Sequence, residues 1–300
     1  MTTKREFLLR SPMFVPAFNR RYIDKAILSD ADALILDVED SVPLENKQEA
    51  REILADYFSR GVFRDRQVFI RINALETSDF VADMEQLVFE DLDGYMPPKI
   101  HCAQDLVLVD NQLTLIERKH GYPNGKFVLA PLIESAAAIV HINEIAHASS
   151  RLIALCFGGE DYLDSMQSAY THLTPAFIYP RNAIAIAARS AGLLPIDTPY
   201  LEISDAEGFM EEEREMYKMG FAGCLLLNPK QIELAHQAFS PLPEEIEHAE
   251  GVVAAIEEAM TRGTGMAVFK GIAIGPPMRK LALKVLAQRD LIQRLAVKRG

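Results

Sequence analysis

Cysteine is scarce: Cys102, Cys156 and Cys224 are the only three in 300 residues. An odd count does not make a disulfide framework, and two of the three lie inside apolar runs, so they read as reduced structural residues ahead of catalytic thiols. Long apolar runs are also lacking, and no stretch approaches the roughly 20 residues that a membrane span needs. Positive charge is in the minority. The 31 Lys and Arg against 43 Asp and Glu leave a formal charge of −12, which argues against a nucleic-acid partner because phosphate binding draws on a dominant basic surface. A small anion in a local basic pocket stays compatible with this balance. The start, Met1-Thr2-Thr3-Lys4-Arg5-Glu6, is polar, and the short apolar piece after it lacks the length and flanks of a signal peptide. The expectation is a cytoplasmic protein with neither a membrane nor a nucleic-acid partner.

What is present is alternation. With 49% hydrophobic and 25% charged residues, the chain suits one large α/β domain or two modest ones. Strand-like apolar runs fall at 13–17, 33–38, 68–73, 94–100, 127–134, 152–161, 195–203 and 223–228. Each is followed by a segment with helical spacing, at 20–28, 47–58, 78–89, 104–119, 135–147, 175–190, 206–219 and 231–239. Asn19 stands where it can cap the first helix. The run at 94–100 is the weakest strand, since Pro97 and Pro98 cannot both sit in mid-ladder. Eight β-then-α units without a break in composition predict a (β/α)8 TIM barrel over residues 1–240, with an open doubly wound sheet as the alternative. Residues 241–300 then form a C-terminal helical extension: an acidic helix at 244–260, a glycine-containing loop at 263–275 and a basic helix at 278–298.

In a parallel barrel the chemistry sits at the carboxyl ends of the strands. Those positions hold Asp37, Glu39 and Asp40, then Arg71 and Asn73, Lys99, Glu134, Glu160 and Asp161, and finally Asn228 and Lys230. The set is rich in carboxylates, which suits a hard divalent ion such as Mg²⁺ that takes one or two of them and leaves its other positions to water or substrate. Glu134 and Asp161 are the best pair by position. His141 and His147 fall on a predicted helix surface, so a zinc site has little support. Gly158-Gly159 reads either as a tight turn or as a place where backbone N–H groups approach a ligand. Arg71, flanked by Val68, Phe69, Ile70 and Ile72, is costly to bury unpaired. It either neutralises Asp37 or Glu39 or holds an anionic substrate oxygen, and the two roles are compatible.

These residues also carry a family resemblance. The runs Arg10-Ser11-Pro12-Met13-Phe14-Val15-Pro16 and Asp37-Val38-Glu39-Asp40-Ser41, with Lys47 and Arg51 after them, resemble the citrate lyase β-subunit group of the HpcH/HpaI aldolase family. So do Arg71-Ile72-Asn73, Pro98-Lys99, Leu132-Ile133-Glu134-Ser135, Phe157-Gly158-Gly159-Glu160-Asp161 and Asn228-Pro229-Lys230-Gln231-Ile232, all in order along the chain. The resemblance implies a barrel that binds Mg²⁺, with Mn²⁺ as a substitute. Its reaction would cleave or form a carbon–carbon bond in a 3-hydroxyacyl-CoA such as citramalyl-CoA or malyl-CoA, with an acyl-CoA and a 2-oxo acid as the products. By that resemblance Glu134 and Asp161 ligate the metal, and Gly158, Gly159 and Glu160 meet the oxo-acid carboxylate. Pro98, Lys99 and Asn228 join the substrate site, Arg71 steadies the enolate oxygen, and Asp37, Glu39 and Asp40 orient Arg71 and metal-bound water. Arg20, Lys25, Lys47 and Arg51 are candidates for the CoA phosphates and adenine, with solvated helix charge as the other reading.

One element departs from the family pattern. Members typically deliver an acid/base Asp from a C-terminal loop, and here the corresponding run is Lys270-Gly271-Ile272-Ala273-Ile274-Gly275-Pro276-Pro277, with Gly275 at the Asp position. The histidine usual before the Pro-Lys-Gln-Ile motif is Asn228. Three readings follow: a Mg²⁺-dependent CoA lyase with its proton relay moved to Glu39, Glu160 or bound water; a metal-dependent aldolase on a free hydroxy acid; and a catalytically silent barrel that binds an oxo acid or CoA compound. The apolar tail helices, which in the family cover a neighbouring subunit, imply a homo-oligomer, a trimer or hexamer.

Overall fold

The computed structural model describes residues 6–169 and 175–299, so the reading of the polar start lies, for residues 1–5, outside the described residues. Eight parallel strand positions are present. β1 (Pro12–Pro16), β2 (Ala33–Asp37), β3 (Gln67–Arg71), β4 (Gly94–Met96) and β5 (Val128–Leu129) pair in that order. β6 (Leu132–Ile133), β7 (Ala154–Phe157), β8 (Leu194–Asp197) and β9 (Gly223–Cys224) pair likewise. Parallel bridges from Leu129 to Leu152 and from Met13 to Leu226 join the two arcs into a ring. Closure is what separates the predicted (β/α)8 barrel from the open-sheet alternative.

The fifth strand is split because Pro131 has no N–H for the ladder. Its neighbours continue the pairing, with Ala130 N donating to Tyr95 O at 3.0 Å and Leu132 N to Pro97 O at 3.0 Å. The fourth strand stops at Met96, before its two prolines. The helices between strands include α1 (Arg20–Ile27), capped as expected by Asn19, whose Oδ1 accepts from Tyr22 N at 3.3 Å. They continue with α2 (Lys47–Ser59), α3 (Ser78–Gln86) and α4 (Ala103–His120). The single helix expected at 135–147 is two short pieces, α5 (Ala136–Val140) and α6 (Ile142–Ala146), broken at His141. A helix that the sequence reading lacked, α7 (Gly159–Ser165), takes up the end of the predicted sixth strand. α8 (Ile178–Ser190), α9 (Ala206–Met219) and α10 (Ile232–Ala238) complete the set.

Strand side chains alternate between two cores, as the period of two requires. Ala33, Ile35, Phe69, Met96, Leu132, Cys156 and Ile196 fill the barrel interior. Leu34, Leu36, Val68, Ile70, Tyr95, Leu155 and Phe157 pack outward against the helices. Counting on by two from the interior set reaches Asp37, Arg71, Glu134, Gly158 and Thr198, so the same alternation that packs the core aims these residues at the barrel's carboxyl mouth. Cys156 and Cys224 are fully buried and unbridged, and burial pushes both thiols up, away from the reactive thiolate.

The chain divides into two compact units, Met1–Phe239 and Ser240–Gly300. The second holds α11 (Pro243–Thr261), an antiparallel hairpin of β10 (Ala267–Phe269) and β11 (Ile272–Ile274), and α12 (Pro276–Arg299). The hairpin occupies what the sequence suggested was a plain glycine-containing loop. Ala249, Val252, Ile256, Ile274 and Ala282 form this unit's own small core. Among the described residues no helix is long and apolar enough to cross a membrane.

The amino-terminal end of the barrel is tied by Asp32, which is buried completely. It accepts Arg10 Nε at 2.8 Å and Arg10 Nη2 at 3.0 Å, and His236 Nε2 lies 3.4 Å away. Burial alone would raise this carboxyl, but His236 and Arg10 outweigh it and hold it well below the usual range. A depressed carboxylate stabilises the fold above its unfolded value, near pH 4, and loses that contribution as the pH falls further. Asp32→Asn should therefore cost about 3–5 kcal/mol at pH 7 in urea unfolding. The gap from the wild type should narrow at pH 3.

Candidate active site

Asp37 and Arg71 are register partners on β2 and β3. Arg71 Nε donates to Asp37 Oδ1 and Nη2 to Asp37 Oδ2, both at 2.7 Å. This two-pronged pair is the strong geometry for guanidinium and carboxylate. Asp37 also accepts Glu39 N at 2.9 Å and Ser41 N at 3.1 Å, which fold the following loop back over the strand end. Against the upward push of burial, Arg71 and these donors keep Asp37 lowered and ionised. The remaining guanidinium nitrogen, Nη1, stands 3.3 Å from Glu39 Oε2 and 3.7 Å from Asp40 Oδ2. The Phe14 ring lies 4.6 Å below the guanidinium carbon, so Arg71 is clamped from both sides.

Across the mouth, Glu134 is 4% exposed and accepts the Lys99 backbone N–H at 2.5 Å. Burial, together with the nearby charges of Asp161 and Glu39, pushes its carboxyl up to about 7, against the opposing Lys99 amide and Arg71. Asp161, in the first turn of α7, is raised by partial burial and by Asp40. Glu39 is raised by burial despite Arg71 and Lys99. Asp37, Asp40, Arg71, Glu134, Glu160 and Asp161 line one cavity of about 250 Å³. Several carboxylates thus converge with too little positive charge to keep them all comfortably ionised. A divalent cation would remove that conflict, and the donor set fits Mg²⁺, with Glu134 and Asp161 as two oxygen donors and room beside them for water or substrate. Among the described residues no group of three or more His, Cys, Asp or Glu side chains forms a metal cage.

The two glycines are required by proximity. A Cβ on Gly158 would stand 2.7 Å from Glu134 Cβ and Oε2, and one on Gly159 would meet Thr198 Oγ1 at 2.6 Å and Phe177 Cζ at 2.8 Å. Gly159 N donates to that Thr198 hydroxyl at 2.9 Å. The close approach here is to Glu134, Thr198 and Phe177, and both glycine N–H groups are spent inside the protein, Gly158 N on Ile133 O at 3.1 Å and Gly159 N on Thr198.

The structure brings Asp37, Arg71, Glu134, Gly158, Gly159, Glu160 and Asp161 to the cavity wall and places the other sequence-predicted residues elsewhere. Lys99 and Pro98 are absent from the cavity wall, where substrate contact was expected: Pro98 is buried, and Lys99 points its Nζ to Glu39 Oε1 at 2.9 Å. Glu39 is likewise covered, held between Arg71 and Lys99. Asn228 caps a short 3₁₀ turn and, with Lys25, lines a second cavity of about 330 Å³ that shares Phe14, Pro16 and Leu227 with the first.

Two of the cations suggested for CoA are corrected by their burial. Lys47 Nζ donates to the carbonyls of Val38 and Glu39 at 2.8 and 2.7 Å. Arg51 is paired to Asp83 at 2.7 Å and Asp79 at 2.6 Å. Both support the loop after β2 and the helix behind it instead of facing a ligand. Arg20 faces Asp56 at 2.6 Å on the surface. The sequence reading missed Ser41 and Thr198 on the wall. Thr198 stands two residues after Ile196, so a parity count past the end of β8 would have found it.

The structure is a closed parallel (β/α)8 barrel with an acidic, arginine-bearing cavity at its carboxyl mouth. The profile of HpcH/HpaI aldolase/citrate lyase matches residues 10–229. Citrate lyase subunit beta of Escherichia coli is 35% identical over 282 residues, covering 94% of this chain and 93% of its own. L-malyl-CoA/beta-methylmalyl-CoA lyase of Cereibacter sphaeroides is 32% identical over 303 residues, covering 94% and 95%. The crystal structure of CitE from Mycobacterium tuberculosis in complex with magnesium, acetoacetate and coenzyme A aligns with a TM-score of 0.74 at 27% identity, over 93% of this chain and 97% of that one. The chain belongs to the HpcH/HpaI aldolase/citrate lyase family.

The close approach at Gly158 is testable without any ligand. Gly158→Ala should destabilise the protein by about 1–3 kcal/mol in urea unfolding, the usual cost of overpacking. Gly265→Ala, which has open space around its Cβ, should stay within about 0.5 kcal/mol of the wild type.

Proposed function

We propose that this chain is a Mg²⁺-dependent carbon–carbon lyase acting on a 3-hydroxyacyl-CoA of the malyl or citramalyl type, yielding an acyl-CoA and a 2-oxo acid, or running in reverse. The observation that carries the reading is that Arg71, Glu134 and Asp161 line one cavity. Cleavage of this kind needs a base for the hydroxyl proton, an electrophile on the emerging carbonyl and a fixed cation beside the enolate oxygen. Bound Mg²⁺ would supply the electrophile. Glu134 and Asp161 would hold it, and the Glu160 and Asp161 amides in the first turn of α7 would receive the oxo-acid carboxylate, since the Gly158 and Gly159 amides go to Ile133 O and Thr198 Oγ1.

Arg71 meets the enolate oxygen through an N–H of Nη1 or the second N–H of Nη2, because Nε and one Nη2 hydrogen go to Asp37. Its orientation is set before substrate arrives, which avoids reorganisation in the transition state. For proton transfer the wall offers Asp40 and Glu160, since Asp37 is locked to Arg71 and Glu39 is covered. This reassigns the relay from Glu39 and retains Glu160. The second cavity, entered past Phe14 and Leu227, takes the pantetheine arm, with Lys25 and Asn228 on its wall. The names of the relatives, two of them lyases and one solved with magnesium and coenzyme A, support the same chemistry.

The aldolase reading on a free hydroxy acid draws on a different observation: Lys47 and Arg51 are tied inside the fold and Arg20 faces Asp56, while Lys25 lines the second cavity. The tail belongs to the proposal as an assembly element. Met260, Met266, Val268, Ile272 and Leu281 are each more than half exposed, which supports a homo-oligomer in which this face is covered by another copy.

Thermal unfolding separates these readings, because a ligand of the native state raises its apparent stability. Acetyl-CoA with Mg²⁺ should raise the melting temperature. A shift with pyruvate or glyoxylate alone, and none with acetyl-CoA, would favour the free-acid aldolase. Turnover of malyl-CoA or citramalyl-CoA should fall about 100-fold or more in Arg71→Ala and also in Asp161→Asn. Wild-type activity unchanged in Asp161→Asn would refute the metal assignment. Binding without turnover of either thioester would identify a silent barrel.

A further inference from the structure

Lys99 has two features that a substrate-contacting lysine does not need. Its backbone is left-handed, with φ +53°, a conformation that side chains other than glycine, asparagine and aspartate adopt rarely. It also lies off the wall of the cavity that its neighbours line. The surroundings over-determine this backbone: Leu132 N donates to Pro97 O at 3.0 Å, Pro98 is buried, and Ile100 is fully buried on the far side. In this conformation the Lys99 amide meets Glu134 Oε1 at 2.5 Å, and the ammonium at the other end meets Glu39 Oε1 at 2.9 Å. Glu39 in turn lies 3.3 Å from Arg71 Nη1. One residue therefore links the proposed metal carboxylate to the guanidinium across the mouth.

We infer that Lys99 is a positioning residue: its left-handed backbone fixes Glu134 through the amide and thereby sets where a divalent cation sits relative to Arg71. The inference rests on the reading of Glu134 as a metal ligand. It differs from a substrate-binding role because what matters is the backbone conformation at position 99, with the lysine side chain secondary. Outer-shell partners of metal ligands commonly contribute 10- to 100-fold in affinity, so the effect is large enough to measure.

Calorimetric titration of Mg²⁺ and Mn²⁺ into the full chain tests it, with no need for turnover. Lys99→Gly keeps the amide and adopts positive φ without strain, so it should bind within about threefold of the wild type. Lys99→Val keeps the amide but resists positive φ, and should bind about 10- to 100-fold more weakly. Lys99→Asn, which tolerates the left-handed region, should restore affinity toward the wild-type value, and Lys99→Ala stands in for the valine variant should that one not fold. Equal weakening in the glycine and valine variants would overturn the inference by placing the effect in the side chain. Unchanged affinity in the valine and alanine variants would overturn it as well, with the metal reading left standing. A wild-type chain that binds neither ion would remove the metal reading and this inference with it.

Discussion

The pairing of Asp37 with Arg71 is the constraint on which the rest of the site depends. The two residues are opposite one another in the β2–β3 register and share the interior parity of their strands. Burying both charges costs several kcal/mol unless their hydrogen bonds are nearly complete. Asp37 meets that demand with two prongs from Arg71 and two backbone donors from its own following loop. The same bonds curl residues 38–41 over the strand ends, where Glu39 and Asp40 flank the guanidinium. Lys47 then holds the loop from beneath through the carbonyls of Val38 and Glu39. The loop is thus shaped by the ion pair, and the ion pair is kept dry by the loop.

Around that pair the electrostatics are unbalanced toward negative charge. Glu39, Glu134 and Asp161 are all pushed upward, with burial as the largest cause in each and neighbouring carboxylates adding to it. A purely structural ion network tends toward local neutrality, as at Asp32, where Arg10 and His236 hold the carboxyl down. Excess buried negative charge beside a cavity is instead what a cation would relieve, which is the physical reason behind the proposed Mg²⁺ site. The stretch from Gly263 to Arg289 holds no carboxylate.

Much of this was legible in the amino-acid order. The eight alternating units predicted the barrel, and acidic residues at strand ends predicted the mouth, because a parallel strand buried on both faces leaves its chemistry at its end. The pairing of Arg71 with Asp37 was one of two roles foreseen for an arginine in an apolar run. What went astray shares a cause. Lys47 and Arg51 read either as CoA-phosphate contacts or as solvated helix charges, yet both are buried against partners 8 to 32 residues away. Pro98-Lys99 reads as substrate contact, yet Lys99 directs its amide to Glu134 and its ammonium to Glu39.

By itself, then, the sequence determined which residues enter the barrel and which stay on its helices, since the periods of two and 3.6 are properties of the local backbone. It also determined the chemical inventory of the mouth, because carboxylates, glycines and an arginine stand at countable strand ends. Only the tertiary structure decided which charges neutralise one another, which cations are used up inside the fold, and that Lys99 turns its amide to Glu134. Those outcomes depend on distances between residues far apart in the chain, and ring closure between Met13 and Leu226 sets those distances for every strand at once.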